Sequence, residues 1–139
     1  MEIHRMTVAT CRLTSVTLPE GPFPHVSVEA ELRFDASLPY AVCLAFPPVD
    51  DGGEELRWFF ARELLNEGRH APAGYGDVTV APGPRGQVLV TLRSREGRAL
   101  ISVPAEAVTA FLVDSFALVP AGREPEHLDV DAALARLLP

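Results

Sequence analysis

An α+β fold built on antiparallel sheets is the class this 139-residue chain predicts, and three observations predict it. Residues 26–35 alternate strictly, with Val26, Val28, Ala30, Leu32 and Phe34 on one face and Ser27, Glu29, Glu31, Arg33 and Asp35 on the other. One apolar and one wet face suit an antiparallel sheet, because parallel strands are covered on both sides. Strand-like runs also come in blocks: four, then a short helix, three more, then two helices. Blocks of strands followed by helices argue against repeated βαβ units. Lastly, 47% hydrophobic and 22% charged residues are the composition of one ordinary globular domain over residues 1–139.

Thr7 to Val16 is rich in β-branched residues and predicts the first strand, with Ala9, Cys11 and Leu13 on one face and Thr10 and Arg12 on the other. The prolines at 19, 22 and 24 exclude regular structure there. After the 26–35 strand and a turn at 36–39, Tyr40 to Phe46 is apolar on both faces, which predicts a central or covered strand. Pro47 to Gly53 is an acidic loop. Leu56, Trp58 and Phe60 alternate with Glu55 and Arg57 in a fourth strand; Ala61 to Glu67 are helix formers, and Gly68 stands where that helix stops.

Gly74-Tyr75-Gly76-Asp77 turns the chain into a strand at Val78–Ala81. Gln87–Arg93 and Ala99–Val103 are the next two strands, joined by Pro-Gly-rich and Ser94–Arg98 turns. Pro104 suits the first position of a second helix, and Val108, Phe111, Leu112, Ser115 and Val119 recur at helical spacing. Asp129 predicts the N-cap of a last helix with Val130, Ala133, Leu134, Leu137 and Leu138 on one side. Trp58, Phe60, Phe111 and Leu112 are expected in the core, and Gly76 and Gly97 in turns.

The net charge of −7 weighs against general attraction to nucleic acid or to an anionic membrane surface. All 12 basic residues are Arg. Cys11 and Cys43 lie outside any CxxC spacing, and both are expected as buried reduced thiols. No stretch has the ~18 apolar residues of a membrane span, and the N-terminus lacks the apolar run of a signal peptide, which predicts a cytoplasmic protein.

No catalytic, cofactor-binding or metal-binding residue is nominated by the pattern. His4, His25, His70 and His127 stand alone, without the i, i+4 or Cys-flanked spacing of a metal site. The glycines at 74 and 76 precede a strand, whereas a phosphate cradle precedes a helix N-terminus. Asp50, Asp51, Glu54 and Glu55, and again Glu124, Glu126, Asp129 and Asp131, lack the alternation of a calcium loop and read as solvated acidic surface. Phe34, Tyr40, Trp58, Phe59 and Phe60 raise the question of base stacking, with Arg93, Arg95 and Arg98 as a local basic patch. Core packing is the reading preferred for these aromatics.

Several motifs together resemble the SsgA-like proteins of sporulating actinobacteria: Pro39-Tyr40-Ala41-Val42 with Phe46, the run Trp58 to Gly68 (WFFARELLNEG), and Gly74-Tyr75-Gly76-Asp77-Val78. Ser94 to Ala99, Phe111-Leu112, Val119 to Gly122 and Leu128 to Asp131 continue the resemblance over nearly the whole chain. Phe34 stands where the family usually has Tyr, Leu38 where it often has Asp, and Ser115 where Thr is common.

The resemblance implies a Whirly-like fold of two antiparallel sheets with helices, assembled as a bell-shaped homotrimer. With two four-stranded sheets, seven predicted strands are one short, and the 16–24 segment or the N-terminus is where the eighth is expected. It also implies a non-enzymatic role in sporulation-specific cell division without a cofactor. Family members of the character closest to this chain recruit the tubulin-like GTPase FtsZ to septum sites, promote its polymerisation, and are themselves positioned by SsgA or another SsgA-like protein. Location at the division septum follows, with membrane association only through a partner and no nucleic acid. The alternatives are another SsgA-like role in septum or spore-wall maturation and, from the Whirly-like fold, single-stranded nucleic-acid binding. A small-molecule enzyme ranks below both, since no nucleophile–base pair is visible.

Overall fold

The computed structural model describes residues 9–48, 50–128 and the isolated positions 134, 135 and 137. Strands β1 (Ala9–Val16), β2 (Val28–Asp35), β3 (Ala41–Phe46) and β4 (Leu56–Ala61) form one antiparallel sheet in chain order. Helix α1 (Arg62–Gly68) follows without a loop. Strands β5 (Val78–Pro82), β6 (Gln87–Ser94) and β7 (Gly97–Pro104) form a second antiparallel sheet, and α2 (Ala105–Leu118) leads to a short 3-10 turn at Glu124–Glu126. The predicted last helix from Asp129 lies outside the described residues.

The two sheets and α2 share one core. Leu32, Phe34, Val42, Leu44 and Phe60 come from the first sheet, Val80, Val88, Val90, Ile101 and Val103 from the second, and Val108, Phe111 and Leu112 from α2. In β2 the expected alternation holds from Ala30 to Phe34, while Val26 is exposed ahead of the strand. β3 lies between β2 and β4, as its doubly apolar pattern predicts. All five positions read from helical spacing in and after α2, Val108, Phe111, Leu112, Ser115 and Val119, are buried. Pro104 ends β7 in an extended conformation and caps α2 rather than occupying its first turn.

Strand β1 departs from the expectation. Ala9, Cys11 and Leu13 face solvent, and the expected buried thiol at Cys11 is exposed, whereas Cys43 is buried. Val16, 1% exposed, is the residue β1 buries deeply, and the period of two then fixes the facing of every other side chain in the strand. Residues opposite one another across β1 and β2 confirm this parity: Thr14 faces Ala30, and Cys11 faces Arg33. At an edge strand one anchor outweighs a run of modest apolar preferences.

Of the two places expected to supply an eighth strand, the N-terminus lies outside the described residues and the segment after β1 contributes one isolated bridge. Thr17, just past β1, pairs with Ser102 of β7 through two backbone hydrogen bonds of 3.1 and 2.8 Å. This bridge carries β1 from the first sheet to the edge of the second before the proline-rich segment ends the pairing.

Gly68 is the last residue of α1, but not through a left-handed cap. A Cβ there would lie 2.3 Å from the Cβ of Val80, so its absence lets α1 press onto β5. Gly76 lies in the bend at residues 75–77 as expected, and just ahead of it Gly74 is the glycine the loop requires: its φ is +105° and a Cβ there would lie 2.7 Å from the Val78 carbonyl oxygen. Gly97, with φ +139°, opens β7 after the Ser94–Glu96 turn as expected.

Candidate interaction surfaces

Three places hold chemistry beyond simple packing. One is the outer face of the four-stranded sheet. Register aligns Cys11, Arg33, Cys43 and Phe59 in one row across β1 to β4, with Leu13, Glu31, Ala45 and Arg57 in the next. Arg33 donates to both carboxylate oxygens of Glu55, at 2.6 and 2.8 Å, and pairs with Glu31 as well. This fork shields the sheet beneath it, leaving a shallow depression of about 520 Å³ with Cys43 at its floor and Phe59 at its side. The pair holds the Glu55 carboxyl below its ordinary range, chiefly through the Arg33 hydrogen bond. Both thiols are shifted the other way: hydrogen bonding to Glu31 raises Cys11, and burial raises Cys43. Neither is an activated nucleophile, since the thiolate is the reactive form.

A second place joins α1 to the end of α2. Arg62, in the first position of α1, is 2% exposed. Its guanidinium lies 4.8 Å from the Phe34 ring centre and 4.1 Å from that of Phe116. It donates to the Ser115 carbonyl and to Glu124 Oε2, each at 3.1 Å. The other oxygen of Glu124 accepts from the Gly122 amide at 2.7 Å. The Ser115 hydroxyl donates to the Leu112 carbonyl at 2.9 Å. Arg62 is therefore sandwiched, paired and hydrogen-bonded, the conditions under which a buried cation persists.

The third is an open cleft between the sheets, also about 520 Å³, where β4 diverges from the β6–β7 hairpin. Leu18, Val28, Phe46, Leu56 and Trp58 line one side, and Leu92, Ala99 and Ile101 the other. Trp58 points inward, opposite Leu44, yet is half-buried because the second sheet does not reach over it.

The aromatics considered as base-stacking residues are divided among these settings. Phe34 and Phe60 are core, Trp58 lines the cleft, and Phe59 and Tyr40 are 40% and 50% exposed at different places. They form no common platform. Arg93, Arg95 and Arg98 do cluster, on the β6–β7 hairpin, with Arg93 directly opposite Arg98 and Arg98 forked onto Glu20 at 3.0 Å. His25, His70 and His127 are exposed, and His4 lies outside the described residues. Each acidic group taken as solvated surface supplies a structural partner: Glu55 to Arg33, and Glu124 to Arg62. Asp129 and Asp131 are outside the described residues.

Arg62 is the residue sequence reasoning missed. A basic residue between Ala61 and Glu63 in a short helix reads as surface, and only the flanking Phe34 and Phe116, 28 and 54 positions away, make its burial favourable. The signal available was indirect: an arginine within an otherwise apolar strand-to-helix junction.

Comparison with known proteins bears on what these surfaces serve. Residues 28–124 match the family described as Streptomyces sporulation and cell division protein, SsgA. The chain belongs to the SsgA family. Among its relatives is the sporulation-specific cell division protein SsgB of Salinispora tropica, 46% identical over 128 residues that make up 90% of each chain. SsgB of Streptomyces coelicolor is 42% identical over 138 residues, 95% of this chain and 96% of that one. A solved structure from a study of SsgB mutations and longitudinal cell division during sporulation in S. coelicolor superposes with a TM-score of 0.80 at 37% identity, covering 90% of this chain and 99% of that chain. The SsgA-like sporulation-specific cell division protein of Thermobifida fusca does so with a TM-score of 0.78 at 32% identity, over 98% and 100%. All the SsgA-family motifs read from the sequence up to Gly122 fall on described residues of this shared fold.

Proposed function

We propose that the protein acts in sporulation-specific cell division as a non-catalytic recruiter that brings FtsZ to septum sites and promotes its polymerisation. The observation that carries this reading is the run of relatives named SsgB that match at 36–46% identity over at least nine-tenths of this chain. Conservation of length and fold together supports a shared role, since fold alone does not carry function.

The protein works as a homotrimer on a Whirly-like fold, positioned by SsgA or another SsgA-like protein. Three copies of one weak contact bind a filament of repeated subunits far more tightly than one does, provided the spacing allows simultaneous engagement. Among the described residues no helix is long and apolar enough to cross a membrane, so attachment at the septum is assigned to a partner.

Sedimentation with cognate FtsZ, with and without GTP at near-physiological salt, tests the reading. Co-pelleting that requires GTP, with a larger polymer fraction, is the expected result. Folded protein that stays in the supernatant overturns FtsZ recruitment, and a tight, salt-sensitive complex with single-stranded DNA would replace it with the nucleic-acid reading. Light scattering at micromolar concentration tests the trimer; a monomer removes the multivalent mechanism.

A further inference from the structure

The chain beyond α2 is fastened to the domain at one point. Val119 is fully buried, and its amide closes the helix onto the Ser115 carbonyl at 2.9 Å. From Pro120 to Leu128 every residue except Glu124 is exposed. The backbone hydrogen bonds of this stretch are local: Arg123 donates to the Pro120 carbonyl, Glu126 to that of Arg123, and His127 to that of Glu124. The Arg123–Glu126 ion pair is local too, and with both side chains more than half exposed it holds little. Among the described residues, the polar contact that leaves the stretch is Arg62 onto Glu124 Oε2, at 3.1 Å. The other carboxylate oxygen takes the Gly122 amide at 2.7 Å, so Glu124 ties its own turn together as well as to the domain.

The two partners do not depend on this contact equally. Without Glu124, Arg62 still has the Ser115 carbonyl and the faces of Phe34 and Phe116. The Ser115 carbonyl belongs to the C-terminal end of α2, where the helix dipole favours a cation, and α2 has no basic residue in its own last turn. The 120–128 stretch has no such reserve. Swinging it away breaks one clasp and a few exposed turns, takes no apolar side chain out of the core, and lets water reach the edge of the guanidinium that Glu124 held. Segments with few buried contacts and exposed backbone hydrogen bonds are the ones that open locally, well below the free energy of global unfolding. We propose that residues 120–128 form a strap with a single clasp, Glu124 on Arg62, which opens as a unit beyond Val119 while the rest of the domain stays folded. Opening uncovers the buried arginine of the core and frees the direction in which residues 129–139 leave the body.

Residue-resolved amide hydrogen exchange on the full chain tests the strap, with the amides of Arg123, Glu126 and His127 as its reporters. In the wild type they should exchange through an opening that low urea hardly changes, because little surface is exposed, while the amides of Val42 and Leu112 follow global stability and its steep urea dependence. Glu124→Ala should speed the three reporters by about tenfold relative to Val42 and Leu112. Arg62→Met, which leaves the Glu124–Gly122 bond in place, should speed the same three by a similar factor. Arg123→Ala removes only the surface pair and should leave Glu126 and His127 within about twofold of wild type. Reporters unmoved by Glu124→Ala overturn the proposal. Acceleration by Glu124→Ala but not by Arg62→Met would confine the carboxylate to its own turn and also overturn it, as would an equal acceleration by Arg123→Ala. The wild-type urea series needs no variant to fold: strap amides that open only together with Val42 and Leu112 overturn the separate strap by themselves.

Discussion

Arg62 and Arg33 both pair with glutamates, Arg33 as a fork onto both oxygens of Glu55 and Arg62 through one contact to Glu124, and they hold different things. Arg33 lies across the outer face of the sheet, 36% exposed, pairing with Glu31 two positions back in its own strand and with Glu55 just ahead of β4. Arg62 is 2% exposed between two phenylalanine rings and ties α1 to the chain beyond α2. Water can take the place of Glu55 at the exposed fork, whereas Arg62, enclosed between two rings, depends on Glu124 and the Ser115 carbonyl for its partners. The comparison teaches that a short N–O distance carries little energetic information without the burial around it.

The largest effect should come from breaking the buried member. Arg62→Ala leaves Glu124 without its cation, opens the space between Phe34 and Phe116, and frees the Ser115 carbonyl. A loss of about 3–5 kcal/mol is expected in urea unfolding. Arg62→Met, which keeps the aliphatic stack, should recover part of that loss. A cost under about 1 kcal/mol for Arg62→Ala would show that the buried pair is no stronger than a surface one.

Trp58 comes next. Its strand face is inward, but half-burial lowers the cost of Trp58→Ala to about 2–3 kcal/mol, below the range for a fully enclosed aromatic. Gly68→Ala sharpens the role of close approach at the other end of α1. Better helix propensity gives back about 1 kcal/mol. The Val80 side chain, 2.3 Å from the new Cβ, must yield, and overpacking of this kind costs about 1–3 kcal/mol. The net expectation is a modest loss, relieved in the double variant Gly68→Ala/Val80→Ala; a stabilised single variant would refute the packing account.

What was legible in the sequence follows the strength of the pattern. Residues 30–34 and the spacing from Val108 to Val119 were readable because many apolar side chains agree on one period. β1 was not, because Val16 outvotes Cys11 and Leu13 only once the second sheet is in place to cover it. The site was less legible than the fold. Arg93, Arg95 and Arg98 stood out as a patch, but that Arg98 alone of them borders an apolar cleft depends on β4 and the hairpin diverging in space. Arg62 depended on two distant rings.

The Arg33 fork should show the smallest mutational effect. Arg33→Ala is expected to cost no more than about 1 kcal/mol, and a double-mutant cycle with Glu55→Gln should return a coupling in the range of exposed pairs. Acid titration separates the two arginines without removing either. Glu124 is held below its ordinary value of 4.5 by its own backbone amide, with Arg62 and the Gly122 amide contributing, and Glu55 is held below the same value by Arg33. A carboxyl depressed in the folded state binds fewer protons than in the unfolded chain. Its contribution is therefore complete above about pH 4.5 and is lost as pH falls through the depressed value. Stability should decline below that point in the wild type. In Arg62→Met the decline should be shallower only by the part of Glu124's share that Arg62 supplies, the backbone amides keeping the rest, and in Arg33→Ala by Glu55's share. Identical acid limbs in all three proteins would mean that neither pair is coupled to folding, and the contrast between the buried and the exposed arginine would then rest on packing alone.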